Sequence, residues 1–279
     1  MSPTATIDWL ASSPALLVGI GAWVVGWLVI EGLWYRRTNR PYAVVEARRS
    51  LLTFALVSTA QVAVSLALMP LLFAVWPHRL WTLSMLSPWH WIGAWVLTDF
   101  AYYWIHRGLH ATRIGWALHA PHHSIRQLSL LDSVRTSWGE QPVGIVVYGV
   151  PLVLLGVPPY IAGIFYFFVA LFQFCVHTEM SWSLGPLDGV VYSPAPHRSH
   201  HARERSEADR NYGGFFVLFD RLFGTWNAVP RTYVPEAYGL PDWEPESVRE
   251  IAFGEILRFV RGLRETPGLW PKIRYALTR

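Results

Sequence analysis

Residues 51–76 read LLTFALVSTAQVAVSLALMPLLFAVW, with no charged side chain among them. A helix needs about 20 apolar residues to cross the hydrocarbon core of a bilayer. This stretch exceeds that length, and Pro70 predicts a kink or an end near it. Ala15 to Tyr35 is another such run. Its one charge, Glu31, lies near the end, where Trp34 and Tyr35 suit a headgroup interface. Trp89 to Ile105 is a third, with Asp99 inside it. Val143 to Leu155, which is short, and Tyr160 to Val176 make a fourth and a fifth. The Gly156-Val157-Pro158-Pro159 junction between them is a turn signal that predicts a tight hairpin. The composition agrees: the 279 residues are 52% hydrophobic and 15% charged, against about 25% charged in a soluble domain. Disorder is excluded, and so is an ordinary soluble globule.

Basic residues orient the chain. There are 23, of which only Lys272 is a lysine. With five spans, all but Arg79 fall on one side, which the positive-inside rule assigns to the cytoplasm. No basic residue precedes Ala15, so the first helix lacks the n-region of a cleavable signal and is expected to be retained. The arginine bias and the absence of a dilysine signal in Tyr275–Arg279 favour a bacterial inner membrane over endoplasmic reticulum. A net charge of +4, spread along the chain, forms no nucleic-acid cluster. A single cysteine, Cys175, excludes an intramolecular disulfide and a CxxC metal or redox motif.

The expected fold is therefore all-α and membrane-integral: four to five transmembrane helices and a cytosolic helical cap. Three regions are expected. Residues 1–88 form an N-terminal transmembrane part. Residues 89–228 form a catalytic part that includes the hairpin 143–176. Residues 229–279 form a cytosolic or interfacial tail. In that tail, Glu246 to Leu263 spaces Val248, Ile251, Ile256, Leu257, Val260 and Leu263 as one face of an amphipathic helix.

Eleven histidines are the strongest chemical signal. His106 and His110 stand at i, i+4. His119-Ala-Pro-His122-His123 and His197-Arg-Ser-His200-His201 are two HxxHH motifs, and His177 follows the fifth span. Residues at i, i+3 and i+4 share a helix face. Pro121 complicates a regular helix through its motif. Imidazole suits zinc, copper, iron and nickel. Nine imidazoles exceed one ion and match two, with four or five ligands each. His78 and His90 lie on the opposite side and are expected to be interfacial, without metal. Asp99 lies two helical turns before His106, and an intramembrane carboxylate is a functional candidate. It either orients an imidazole N–H or makes a packing hydrogen bond. Glu179, two residues after His177, has the same two roles open to it. Asn211 is a candidate ligand or ligand neighbour, with a turn-forming role as the alternative.

Asp99-Phe-Ala-Tyr-Tyr-Trp-Ile-His106-Arg-Gly-Leu-His110, followed by the two HxxHH motifs, resembles the fatty acid hydroxylase/sterol desaturase superfamily of membrane di-iron oxygenases. Asn211-Tyr-Gly-Gly214 and Asp220-Arg-Leu-Phe-Gly-Thr-Trp226 resemble its sterol-desaturase-like branch. The similarity covers roughly residues 90 to 228. It implies two iron ions held by His106, His110, His119, His122, His123, His177, His197, His200 and His201. It further implies O2 as co-substrate, and hydroxylation or desaturation of a lipid within the bilayer. Some members supply a further histidine near the position of His177. Here the neighbours are Gln173 and Ser181, which leaves water or Asn211 to fill that place.

An all-imidazole cage does not name its metal by affinity. Zinc lacks redox chemistry and suits hydrolysis, yet neither HExxH nor GxSxG occurs. A dinucleotide fingerprint and a haem motif are also missing, so electrons are expected from a separate ferredoxin- or cytochrome-type protein. Two alternatives remain: a zinc-dependent membrane hydrolase, indifferent to oxygen, and a non-enzymatic metal-handling membrane protein. Since ligation needs neutral imidazole, metal is expected to leave below about pH 6.

Overall fold

A computed structural model describes residues 14–84 and 86–279. Among the described residues, helices account for all regular structure, and β pairing is confined to two isolated bridges, Val191–Phe216 and Ala202–Tyr238. The chain divides into two compact units, Met1–Tyr42 and Ala43–Arg279.

In the first unit, α1 (Pro14–Arg37) is a helix of 24 residues. Arg36 and Arg37 occupy its last turn, where cations meet the negative end of the helix dipole. Tyr42 folds back and donates to the Glu31 carboxylate at 3.3 Å.

The second unit begins with α2 (Val44–Val75), which continues past Pro70. The expected end at Pro70 does not occur. A proline loses one backbone bond and strains one turn, a defect that apolar membrane helices tolerate. Then come α3 (Pro88–Ala111), α4 (Arg113–His123), a 3-10 turn (Leu130–Val134), α5 (Glu140–Leu154) and α6 (Pro159–Val176). The short helices α7 (Pro194–His200), α8 (Arg205–Ala208) and α9 (Leu218–Leu222) follow. Last come α10 (Val248–Glu265) and α11 (Leu269–Leu277). Among the described residues, three helices are long and apolar enough to cross a membrane: α1, α2 with its terminal turn, and α6. The other two expected spans fall short of that set. α5 has 15 residues and includes a π turn at Ile145–Gly149. α3 is long enough but carries Asp99 at its middle and Arg107 and two histidines in its C-terminal half. The α5–α6 connection is the expected tight tip. Gly156 adopts φ 91°, and a side chain there would collide with the Trp81 carbonyl.

In lipid, apolar burial does not drive helices together; close packing and interhelical polar bonds do. Both are present. Ala94 of α3, Tyr148 and Leu152 of α5, and Ile161, Ala162 and Phe165 of α6 share one buried cluster. Gln61 of α2 donates to Thr136 Oγ1 (2.8 Å) and to the Ser137 carbonyl (2.6 Å). Arg135, fully buried, donates to Glu46 of α2 at 2.8 Å and to Ser50 Oγ at 2.9 Å. These bonds tie α2 to the histidine-bearing region. The amphipathic helix forms as α10, started by a Ser247–Glu250 capping box, and buries Ile251, Ala252 and Phe259.

Candidate metal centre

The histidines stand at helix ends. Thr112 ends α3 and caps α4, accepting from the Gly115 N–H at 3.1 Å. That elbow turns α4 back, so His106 and His110 on α3 face His119 and His123 on α4. Pro121 sits in the last turn of α4, where one missing backbone bond is tolerated before the helix stops at His123. Pro194 and Pro196 open α7, a position that suits proline, and α7 delivers His197, His200 and, at its cap, His201. His177 caps α6.

The nine rings form two groups. His106, His110, His119, His123 and His200 bring their candidate ligand atoms within 4.8 Å of one another; His122, His177, His197 and His201 do the same. None of the nine is more than 8% exposed. The groups adjoin: the His123 and His201 rings stack at 4.5 Å, and those of His119 and His122 lie 5.1 Å apart.

The hydrogen bonds determine the protonation pattern. Carbonyl and carboxylate oxygens can only accept, so an imidazole nitrogen facing one carries the proton. His106 Nδ1 donates to the Tyr212 carbonyl at 2.9 Å, and His119 Nδ1 to Glu140 Oε1 at 3.0 Å. Their Nε2 atoms, both then unprotonated, stand 3.1 Å apart. The pattern recurs in the second group. His122 Nδ1 donates to the Arg135 carbonyl (3.1 Å) and His177 Nδ1 to the Gln173 carbonyl (2.5 Å), while the two Nε2 atoms stand 2.9 Å apart. Lone pairs facing at this distance repel unless a cation lies between them. A shared proton is a poor substitute, because burial lowers the pKa of His119 to about 3 and that of His122 to about 4. Metal–nitrogen bonds of about 2.0–2.1 Å at right angles place neighbouring nitrogens about 3 Å apart, so the spacings fit an ion. The Nε2 atoms of His110, His123 and His200 are buried without a hydrogen-bond partner, as ligand atoms would be.

The other sequence candidates lie elsewhere. Asp99 accepts from the Phe215 (2.7 Å) and Phe216 (3.0 Å) backbone N–H groups, not from an imidazole. Asn211, at φ 58°, donates to the Pro196 (3.1 Å) and Asn227 (3.0 Å) carbonyls and accepts from the Asn227 N–H (2.8 Å). Both hold the loop that follows α8. Asp220 completes that support, accepting from the Tyr212 (2.8 Å) and Gly213 (2.8 Å) N–H groups. The loop thereby aims the Tyr212 carbonyl at His106. Gly213 is needed there, since a Cβ would press on the Phe216 carbonyl at 2.5 Å. Glu179 is buried beside His177 in sequence. Gln173 donates to the Gly214 carbonyl. His78 and His90 stay outside both groups; the Ser84 N–H donates to His90 Nδ1 at 2.8 Å.

Sequence reasoning missed three supports. Glu140 holds His119, Asp209 accepts from His110 Nδ1 at 3.1 Å, and Arg135 offers its carbonyl to His122. Only Glu140 left a trace, as an isolated carboxylate at the entrance of an apolar run. Partners of this kind typically contribute about 10–100-fold in metal affinity. Glu140→Ala should therefore weaken metal binding by roughly that factor in a chelator competition, with Glu140→Gln, whose amide oxygen still accepts, close to wild type. Equal affinity for Glu140→Ala and wild type would show that this bond does not orient His119.

Residues 91–225 match the sequence profile of the family described as fatty acid hydroxylase, and all nine clustered histidines fall inside that segment. Alkylglycerol monooxygenase of Homo sapiens is 34% identical over 199 residues, covering 70% of this chain and 43% of that protein. Alkylglycerol monooxygenase of Caenorhabditis elegans is 35% identical over 167 residues, covering 60% and 32%. Ornithine lipid hydroxylase OlsE of Rhizobium tropici is 32% identical over 136 residues, covering 49% and 41%. The chain spans less than half the length of these curated relatives. No solved structure matches it. On the matched segment, its relatives and the histidines it contains, the chain belongs to the fatty acid hydroxylase family.

Proposed function

We propose that the chain is an O2-dependent di-iron hydroxylase of a lipid alkyl chain. The observation that carries this reading is the pair of adjoining histidine groups, with unprotonated nitrogens facing one another at about 3 Å. The group of five would hold one iron and the group of four the other. When bound, the metal pair supplies the redox chemistry for R–H + O2 + two electrons + two protons → R–OH + water.

The chain's own residues do the rest. Burial keeps the imidazoles neutral, as ligation requires. Tyr212, Glu140, Arg135, Gln173, Asp209 and the Arg210 carbonyl each hold one Nδ1–H, turning six Nε2 atoms inward. The dry surroundings keep bulk water from the reacting carbon. Hydroxylation is favoured over desaturation because the relatives described above are named monooxygenases and a hydroxylase. Alkylglycerol ether lipids are the first substrate class to test, on the similarity to the alkylglycerol monooxygenases. A separate redox protein supplies the electrons, and the arginine distribution supports a cytoplasmic position for the histidine end.

The test is turnover of an alkylglycerol by the purified, metal-analysed protein under air and under anoxia, with isotopically heavy O2 in a parallel run. About two irons per chain, heavy oxygen in the product and no anoxic turnover are expected. Turnover that persists without oxygen, or an active protein loaded with zinc, would overturn the proposal.

A further inference from the structure

A cavity of about 230 Å³ lies between α2 and the α5–α6 hairpin. Its rim includes Met69, 40% exposed, and the exposed Gly163. Its depth is formed by Leu72, Tyr148 and Ala162, each no more than 5% exposed. Val146, Val147, Phe167 and Phe168 are exposed on the same two hairpin helices, so the rim faces the hydrocarbon of a bilayer rather than water. A second cavity, about 50 Å³, is bounded by His106, His119 and Glu140. The two share three wall residues, Gly144, Tyr148 and Tyr166. One small passage therefore separates a lipid-facing apolar chamber from the group of five histidines.

Direction follows from helix rise. Tyr148 lies eight residues beyond Glu140 on α5, roughly 12 Å along the axis at 1.5 Å per residue. Pro159 and Ala162, which line the chamber, belong to the first turn of α6, whose far end carries His177. The chamber thus extends along the bundle axis, away from the histidine end.

We propose that this chamber is the binding site for the alkyl tail of the substrate. The tail enters from the bilayer and lies along the bundle axis, and Gly144, Tyr148 and Tyr166 form the passage that sets which chains reach the histidines. The proposal rests on the hydroxylase reading for its substrate, but its central claim concerns where an alkyl chain binds. A polar solute has no reason to enter: Ser65, Gln141 and the two tyrosine hydroxyls are the only polar side chains in the lining.

Gly144 offers a clean plug. A Cβ there meets nothing within 4 Å, so a larger side chain projects into open space at the junction. Replacing glycine in a helix also removes a penalty of about 1 kcal/mol relative to alanine. Gly93 of α3 is equally open and lines neither cavity, so Gly93→Phe is the control. The probe is a long-chain alkylglycerol with a mid-chain diazirine, photolysed with the full-length protein and mapped by mass spectrometry. Adducts on Tyr148 and Tyr166 are expected in wild type and in Gly93→Phe. In Gly144→Phe they should fall roughly tenfold or more, as overpacking an enclosed site implies. Long-chain turnover should fall with them, while bound metal stays at the wild-type level. Adducts elsewhere, or adducts undiminished in Gly144→Phe, overturn the tail site. The labelling needs no turnover, so it decides the tail site even if the hydroxylase reading fails. Oxygen-dependent turnover in wild type decides that reading separately.

Discussion

His122→Ala is expected to lose about half of the bound metal, from roughly two ions per chain to one, and to abolish hydroxylation. His122 belongs to the group of four, which has no spare ligand among the described residues. Losing a mere orienting partner costs about 10–100-fold in affinity, so losing the ligand itself should cost more than about 100-fold. Stability supplies a second readout with an unusual sign. In the metal-free protein, His122 and His177 hold two unprotonated nitrogens 2.9 Å apart. Removing one ring relieves that repulsion, so the metal-free variant should melt no lower than metal-free wild type. In the loaded state the variant should melt well below wild type, because bound ligand stabilises the folded form. A His90→Ala protein should match wild type in both states. If His122→Ala keeps two ions, or if it melts early only when metal-free, the facing-lone-pair account of the site is wrong.

Arg135→Met should be the most destabilising substitution away from the histidines. Its guanidinium, fully buried, meets Glu46 at 2.8 Å and Asp132 at 3.6 Å. It also reaches the Glu46 carbonyl at 3.0 Å and the Ser124 carbonyl at 3.3 Å. Without it Asp132 loses its cation and Glu46 keeps only Arg49, at 2.9 Å; stranding one member of a buried pair costs about 3–5 kcal/mol. The damage should spread to the metal, because the Arg135 carbonyl holds His122. Glu46→Gln combined with Arg135→Met should recover part of the loss, since Glu46 is then no longer a buried charge held by Arg49 alone. A thermal melt of both variants, with metal content measured alongside, checks this. A double variant no more stable than Arg135→Met alone would show that the arginine acts by packing, not by charge.

The two supports differ in how visible they were. Arg135 sits in a stretch that reads as one more basic residue near a membrane, and its partner Glu46 is 89 positions away. Asp99 drew attention as an intramembrane carboxylate, but spacing along α3 says nothing about the loop that packs over it. Its partners, Phe215 and Phe216, are 116 and 117 residues distant. Asn211 likewise reads as a polar residue near the third motif. Only the packed loop shows both its amide hydrogens and its oxygen engaged by backbone.

Apolar runs of spanning length and turn residues between them determined the membrane helices and the hairpin, because no water is available to satisfy an unpaired backbone in lipid. Histidine type and i, i+3, i+4 spacing determined that imidazoles would share helix faces. Tertiary structure alone decided how those faces divide. His119 and His123 join one group while His122 joins the other, and His197 and His201 part from His200 in the same way. Residues four apart nearly superpose along a helix, but adjacent ones differ by about 100° in a helix of 3.6 residues per turn. Each HxxHH motif therefore straddles both groups. Which rings complete each one depends on where α3, α6 and α7 end in space, and that is set by long-range packing.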